Sequence, residues 1–346
     1  MNRTRIVLGS LVVLALVAGA VRWRRAHVAP PDFCAEVRSK IGTRSATALL
    51  AKLRESHPNS AEVYFLSARQ SRLEGNAPDA AVHAARAEEL GWSRSQLARE
   101  RVLRRAVTDA RGARPELDDL LASDPNDSDG LAALAEGALQ AGRSEEAVAL
   151  AGRILERDPH DPRGLYLRGK ARVQARQLDA ARADLEAAVA AGPEPLVHAP
   201  ARLALAMCLL DLGEFSRAFD LFCAARDEGP SDPLALFGVG RSATYLGRLD
   251  DAERAFSAVL ELRPGHVETL VSLAQVVEQR GDLKRALGYL EAAERAEPDR
   301  RETHSRLAKI LAALGQDEGA AHHESRFRAL DPERKGPNTN PPKGMP

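Results

Sequence analysis

Prolines at fixed intervals constrain this chain more than any other feature. Pro125, Pro159, Pro193, Pro230, Pro264, Pro298 and Pro332 are separated by 34, 34, 37, 34, 34 and 34 residues. Proline has no amide hydrogen to donate and cannot continue a preceding helix, so it suits a boundary between helices. Most of these prolines follow helical sequence and precede the start of another helix within three residues. The length of 346 residues would by itself suggest two or three ordinary domains. A fixed period instead predicts one supersecondary unit repeated along the chain.

Within the period, side-chain size recurs too. With units starting at 128, 162, 199, 233, 267 and 301, position eight reads Ala135, Gly169, Ala206, Gly240, Ala274 and Ala308. Position twenty reads Ala147, Ala181, Ala218, Ala252, Ala286 and Ala320. Small side chains at two fixed points let two helices approach closely, where a larger group would overpack at a cost of about 1–3 kcal/mol. Large apolar residues fill the space between: Leu134, Leu205, Leu273 and Leu307 on the first helix of a unit, and Leu185, Phe222, Phe256 and Leu290 on the second. Gly142, Gly213, Gly247, Gly281 and Gly315 stand where a first helix ends in a left-handed cap. Strand-forming runs are scarce and aromatics are 4% of residues, which agrees with an all-α fold.

This pattern resembles the tetratricopeptide repeat family, whose 34-residue helix–turn–helix unit has the same small and large positions and a terminal proline. Residues 128–334 give six units (128–161, 162–195, 199–232, 233–266, 267–300 and 301–334). Residues 61–94 give another, with Tyr64, Ala68, Gly75, Ala80 and Ala87, and with Trp92 in place of the proline. Residues 95–127 read as a degenerate unit interrupted by Arg111, Gly112 and Pro115, and 33–60 as a partial helix pair. The resemblance implies a right-handed solenoid over 61–334, since one hairpin cannot bury its apolar faces alone. The three extra residues before Pro230 are expected near Glu194–His198, in a longer connection or an extra turn of helix, with the stack continuing. In the last unit Glu324, His322, His323 and Arg326 read as the polar face of a terminal repeat.

Ahead of the repeats, Ile6 to Val21 is a run of sixteen residues without charge, and Trp23 follows as an interfacial anchor. It approaches the ~17–20 residues that span a bilayer. Residues 1–25 are therefore read as one transmembrane helix or signal segment, with 26–32 as a linker. Ala18-Gly19-Ala20 fits a cleavage site, but Arg22, Arg24 and Arg25 directly after it suit an uncleaved, single-pass anchor. Which side of the membrane holds the repeats stays open, because arginines flank both ends. The tail 335–346 has a disordered composition.

Charge and space exclude several functions. The chain has equal numbers of basic and acidic residues, but five arginines and no acid fall in the first thirty. The remainder is mildly acidic, which disfavours nucleic acid as the main partner. Cys34, Cys208 and Cys223 form no C-x-x-C pair. His322 and His323 are adjacent and so diverge on a helix, and no metal-ligand spacing such as H-E-x-x-H occurs. Gly238 and Gly240 fall inside a first helix, where a phosphate loop would not form. No stretch is left for a catalytic domain. Neither an enzyme activity, a cofactor, a metal nor a small-molecule substrate is expected.

What remains is a surface for proteins. In tetratricopeptide repeats the inner groove is lined by first-helix positions two, five, nine, twelve and thirteen. Here those positions include Arg163, Tyr166, Lys170 and Gln174, then Leu203 and Met207, then Phe237, Arg241 and Tyr245, then Gln275. The asparagine-rich carboxylate clamp of chaperone-binding members is absent, since position nine reads Glu136, Lys170, Met207, Arg241, Gln275 and Lys309. Rings beside positive charge suit an acidic peptide. The expected function is a non-catalytic, membrane-tethered scaffold. A self-assembling solenoid and an accessory subunit of an envelope-assembly or secretion complex are the alternatives. On this reading Tyr166→Ala and Arg241→Glu should weaken capture and leave helicity and melting intact.

Overall fold

The structure, a computed structural model, describes residues 31–192 and 196–331. Every regular element among them is an α-helix, in antiparallel pairs from Pro31–Lys40 to Asp317–Ala329. Among the described residues no helix is long and apolar enough to cross a membrane. The apolar run 6–21 and the tail 335–346 lie outside the described residues.

The sequence period becomes structure through the turns. Pro125, Pro159 and Pro230 each sit in the turn between units, and the aspartate two residues later caps the next first helix. Asp127 accepts from the Gly130 amide at 3.0 Å, Asp161 from Gly164 at 2.6 Å and Asp232 from Leu234 at 2.9 Å. A side-chain acceptor at this position satisfies one of the amides that a helix start leaves open. At the other end, Gly142, Gly213, Gly247, Gly281 and Gly315 all take the left-handed conformation. In the unit 162–195 the equivalent position is Arg176, at φ 61°, a conformation that strains a residue with a Cβ.

Where the two helices of a pair touch, the small positions are sealed. Ala147, Ala181, Ala218, Ala252 and Ala286 are fully buried, as are Ala135 and Ala206. At two first helices even a methyl group is too large. A Cβ on Gly169 would lie 2.6 Å from the Leu185 side chain, and one on Gly240 would lie 2.5 Å from Phe256. A Cβ on Gly238 would lie 2.3 Å from Phe222, so the two glycines of the Gly238-x-Gly240 segment are packing points between aromatic rings. The terminal repeat is looser: Ala308 and Ala320 are only half-buried.

The degenerate segment and the partial pair both fold as hairpins, Arg94–Thr108 with Arg114–Ser123 and Pro31–Lys40 with Arg44–Ser56. Trp92, in the place of a proline, stacks on Phe65 with ring centroids 5.2 Å apart. The three-residue insertion appears in the connection. Seven residues join Leu178–Ala190 to His198–Asp211, against four at the other late unit boundaries. The helix after it is also one residue longer than its counterparts.

The described residues divide into two compact units, one ending at Ala204 and the other beginning at Leu205. The division falls inside the helix His198–Asp211 and not in a connecting segment. In the first unit the core runs from Cys34, Leu50 and Val63 through Leu103 and Leu117 to Leu131, Ile154 and Leu167. Phe256, Leu273, Leu290 and Leu307 anchor the core of the second. Cys34 is buried and free, and burial raises its thiol pKa to about 11.

Two glycines on opposite sides of this argument give a paired test. Gly240→Ala should lower stability by about 1–3 kcal/mol, because Phe256 has to move. Gly288, inside the helix Leu283–Ala296, has nothing within 4 Å of an added Cβ. Gly288→Ala should therefore raise stability by roughly 0.5–1 kcal/mol through helix propensity. Thermal melts of the two variants against the parent check both signs.

Candidate functional site

The first-helix face differs between the two units, and charge makes the difference. In the first unit one carboxylate gathers four guanidinium groups. Asp129 lies 3.1 Å from Arg69, 3.2 Å from Arg72, 3.1 Å from Arg99 and 3.2 Å from Arg163. These arginines come from three other first helices: Ala61–Leu73, Arg94–Thr108 and Pro162–Gln174. The acids Glu100, Asp127 and Glu136 complete the network, with Arg72 Nε donating to Glu100 at 2.6 Å. The Arg72 and Glu100 side chains are only 3% and 1% exposed.

Burial works against ionising Asp129, but Arg72, Arg69, Arg163 and Arg99 together hold it well below the usual carboxylate range. Asp127 is likewise depressed, its burial outweighed by Arg99 and by the Gly130 amide. Buried ion pairs gain little over apolar packing, but removing one partner is costly because the other charge stays buried. This network fixes the four first helices against one another.

A second device closes the same face. The Leu196 amide donates to the Gly42 carbonyl at 2.9 Å, so the long connection reaches back to the first described hairpin. Gly42, Arg69, Asp129, Glu136, Arg163 and Leu196 border a cavity of about 460 Å³.

The groove residues expected in this unit are accordingly engaged by the protein itself. Arg163 pairs with Asp129 and, at 3.1 Å, with Glu136. Gln174 accepts from Ser144 at 3.0 Å and donates to the Leu139 carbonyl at 3.2 Å. Lys170 is exposed, 5.8 Å from the Tyr166 ring centre. Leu203 is half-buried. Tyr166 packs against two core clusters, which corrects the expectation that Tyr166→Ala spares melting: the truncation would remove core contacts as well.

In the second unit the same face is open. Phe237, Arg241 and Tyr245 follow one another at i, i+4 and i+8 on the helix Pro233–Tyr245, and so share one face. Phe237 is half-buried, in edge contact with His266 and tilted against Phe256. Tyr245 is 57% exposed, although Phe215 stacks on it with centroids 4.4 Å apart. Met207 is 41% exposed. Arg241 has no ion-pair partner among the described residues, in contrast to Arg163. On the adjacent helix Val267–Gln279, Gln275 accepts from Arg306 at 3.2 Å.

Two residues of this face escaped the sequence reading. Leu234, at position two, is 44% exposed, and its place in the repeat was signal enough to include it. Phe215 belongs to a second helix, so the groove positions do not point to it. The other omission is chemical. Among the described residues, the side chains grouped as metal ligands would be are Glu294, His304 and His323. His322 and Glu324 are exposed as expected of a terminal face, but His323 is turned inward.

The arginine network sets an acid limit on the first unit. Asp127 and Asp129 have folded-state pKa values below their unfolded ones, so their contribution is complete above about pH 4. It is lost as pH falls further and the folded carboxylates take up protons. Acid titration followed by amide exchange in the helix Ser128–Gln140 should show protection falling below that pH. Asp129→Asn should weaken protection already at neutral pH and flatten the acid dependence.

Tetratricopeptide repeat models match residues 105–171, 166–233, 239–300 and 273–334. Over 126 residues the chain is 31% identical to "Protein CTR9 homolog" of Arabidopsis thaliana, covering 36% of this chain and 11% of that protein. Over 128 residues it is 30% identical to "TPR repeat-containing protein YpiA" of Bacillus subtilis (strain 168), covering 37% and 30%. The chain thus spans less than a third of either relative. Among solved structures, the APC/C hetero-tetramer Cut9–Hcn1 superposes with a TM-score of 0.63 at 15% identity, over 84% of this chain and 56% of that one. That likeness concerns the fold. With the periodic small residues, the capped turns and family models covering more than half its length, this chain belongs to the tetratricopeptide repeat family.

Proposed function

We propose that the protein is a membrane-tethered, non-catalytic scaffold that holds an acidic protein segment on the first-helix face of its second unit. Tetratricopeptide solenoids typically serve as scaffolds for protein–protein interaction. The observation that carries the assignment to this unit is the contrast in arginine pairing. Arg163 is bound to Asp129 and Glu136, whereas Arg241 stands between Phe237 and Tyr245 without a counter-charge among the described residues.

An extended or helical segment laid along this face would cover Met207, Leu234 and Tyr245. Aromatic side chains bring large contact area with few rotors to fix. A carboxylate set against Arg241 would be partly shielded from water, where an ion pair contributes more than at an exposed rim. Cut9–Hcn1, to which this chain is similar in fold, is a hetero-tetramer, in keeping with this mode of use. Tethering is read from the uncharged run Ile6–Val21 and the arginines directly after it.

Panning an array of acidic peptides against the full chain in detergent tests the binding site. Arg241→Glu should abolish the selected binding with an unchanged circular dichroism melt, and Tyr245→Ala should weaken it by about tenfold. Selected peptides that bind both variants as tightly as the parent would move the site to another face. For the tether, the full chain should stay with membranes through an alkaline wash. Purified material beginning at Val21 would show a cleaved, exported protein instead.

A further inference from the structure

The last two repeats bring three ligand-type side chains to one point. His304, on the helix Arg301–Ala313, is almost fully buried, and its Nε2 lies 2.8 Å from the Pro298 carbonyl oxygen. A carbonyl only accepts, so Nε2 carries the proton and donates it. The lone pair of His304 is therefore on Nδ1. That atom lies 3.0 Å from Nδ1 of His323, on the helix Asp317–Ala329, and 3.5 Å from Oε1 of Glu294, on the helix Leu283–Ala296. The third side of the triangle, His323 Nδ1 to Glu294 Oε1, is 3.6 Å.

These separations are those of a metal's coordination shell. Zinc bonds nitrogen and carboxylate oxygen at about 2.0–2.2 Å, and a tetrahedral shell with such bonds sets its ligand atoms about 3.3 Å apart. A point equally distant from the three atoms lies about 2 Å from each of them, close enough for bonding without moving the backbone. Imidazole nitrogen with one carboxylate suits zinc-class ions and not calcium or magnesium. The Pro298 carbonyl plays the supporting part usual at such sites, fixing the tautomer and the ring of a ligating histidine. His323 is 14% exposed and Glu294 31%, which leaves an approach from solvent.

We propose that Glu294, His304 and His323 form a binding site for a divalent zinc-class ion that fastens the terminal helix to the solenoid. The helix Asp317–Ala329 has no fully buried residue. As the outer member of the last described pair it has, among the described residues, neighbours on one side only, and apolar packing holds it weakly. The three ligands come from its own helix and the two preceding it. One ion joins all three, and any folded-state binding stabilises that state through mass action. Three protein ligands leave a fourth position for water.

The test uses the untagged full chain in mild detergent, stripped with chelator and titrated with zinc or with cobalt as a spectroscopic stand-in. One equivalent of cobalt should give the visible absorption of a tetrahedral site, and zinc should displace it. Zinc should raise the melting temperature and protect the amides of Asp317–Ala329 from exchange. His304→Ala removes a buried ring and is a poor probe, since it could unfold the repeat without any metal. His323→Ala and Glu294→Gln are the informative variants, each expected to lose at least roughly tenfold in affinity while folding without metal. Absence of saturable one-equivalent binding would overturn the proposal. So would binding unchanged in His323→Ala, which would put the ion at other histidines.

Discussion

Everything in this protein rests on how closely two helices of one hairpin approach. Alanine or glycine at two positions of every regular unit, the degenerate 95–127 excepted, brings the helices together, and the next hairpin covers the apolar ridges that remain. Gly240 against Phe256 and Gly169 against Leu185 are the tightest examples, since a single methyl would collide there. No unit has a core of its own, so stability resides in the seams between neighbours. Position five packs into the core at Ala132, Tyr166 and Val271, but the same economy leaves the first-helix positions nine and thirteen largely free of packing duty. These positions can carry charge or aromatic rings without threatening the fold.

The two units use that freedom in opposite ways. In the first, arginines and acids on four successive first helices neutralise one another around Asp129, and the face becomes part of the structure. In the second, aromatic and aliphatic side chains stay exposed beside Arg241. A repeat protein can divide labour along its length in this way without changing the backbone of its unit.

The fold was legible because it depends on local, periodic signals. Proline spacing, the glycines that end first helices and the small positions each act within one unit or between neighbours, and each recurs often enough to stand out from an alanine-rich background. The groove was half legible. Position in the repeat placed Phe237, Arg241 and Tyr245 on one face, but could not show that Arg163 would be occupied by Asp129, 34 residues away. Nor could adjacency along the chain reveal the histidine group. His322 and His323 diverge as expected, and that divergence is what turns His323 towards His304 and Glu294, which come from other helices. Long-range juxtaposition of unlike side chains leaves no period to read.

The hydrogen bond from Leu196 to Gly42 changes the cooperativity of the first unit. An open solenoid behaves as a one-dimensional chain, in which end repeats fray and each seam melts according to its own strength. A backbone contact between segments about 150 residues apart raises the contact order and links the last connection of this unit to its first described hairpin. Opening the first hairpin then also releases the long connection, so the end is no longer the cheapest place to begin unfolding. The first unit thereby gains a coupling between its early and late segments that an open stack of repeats lacks.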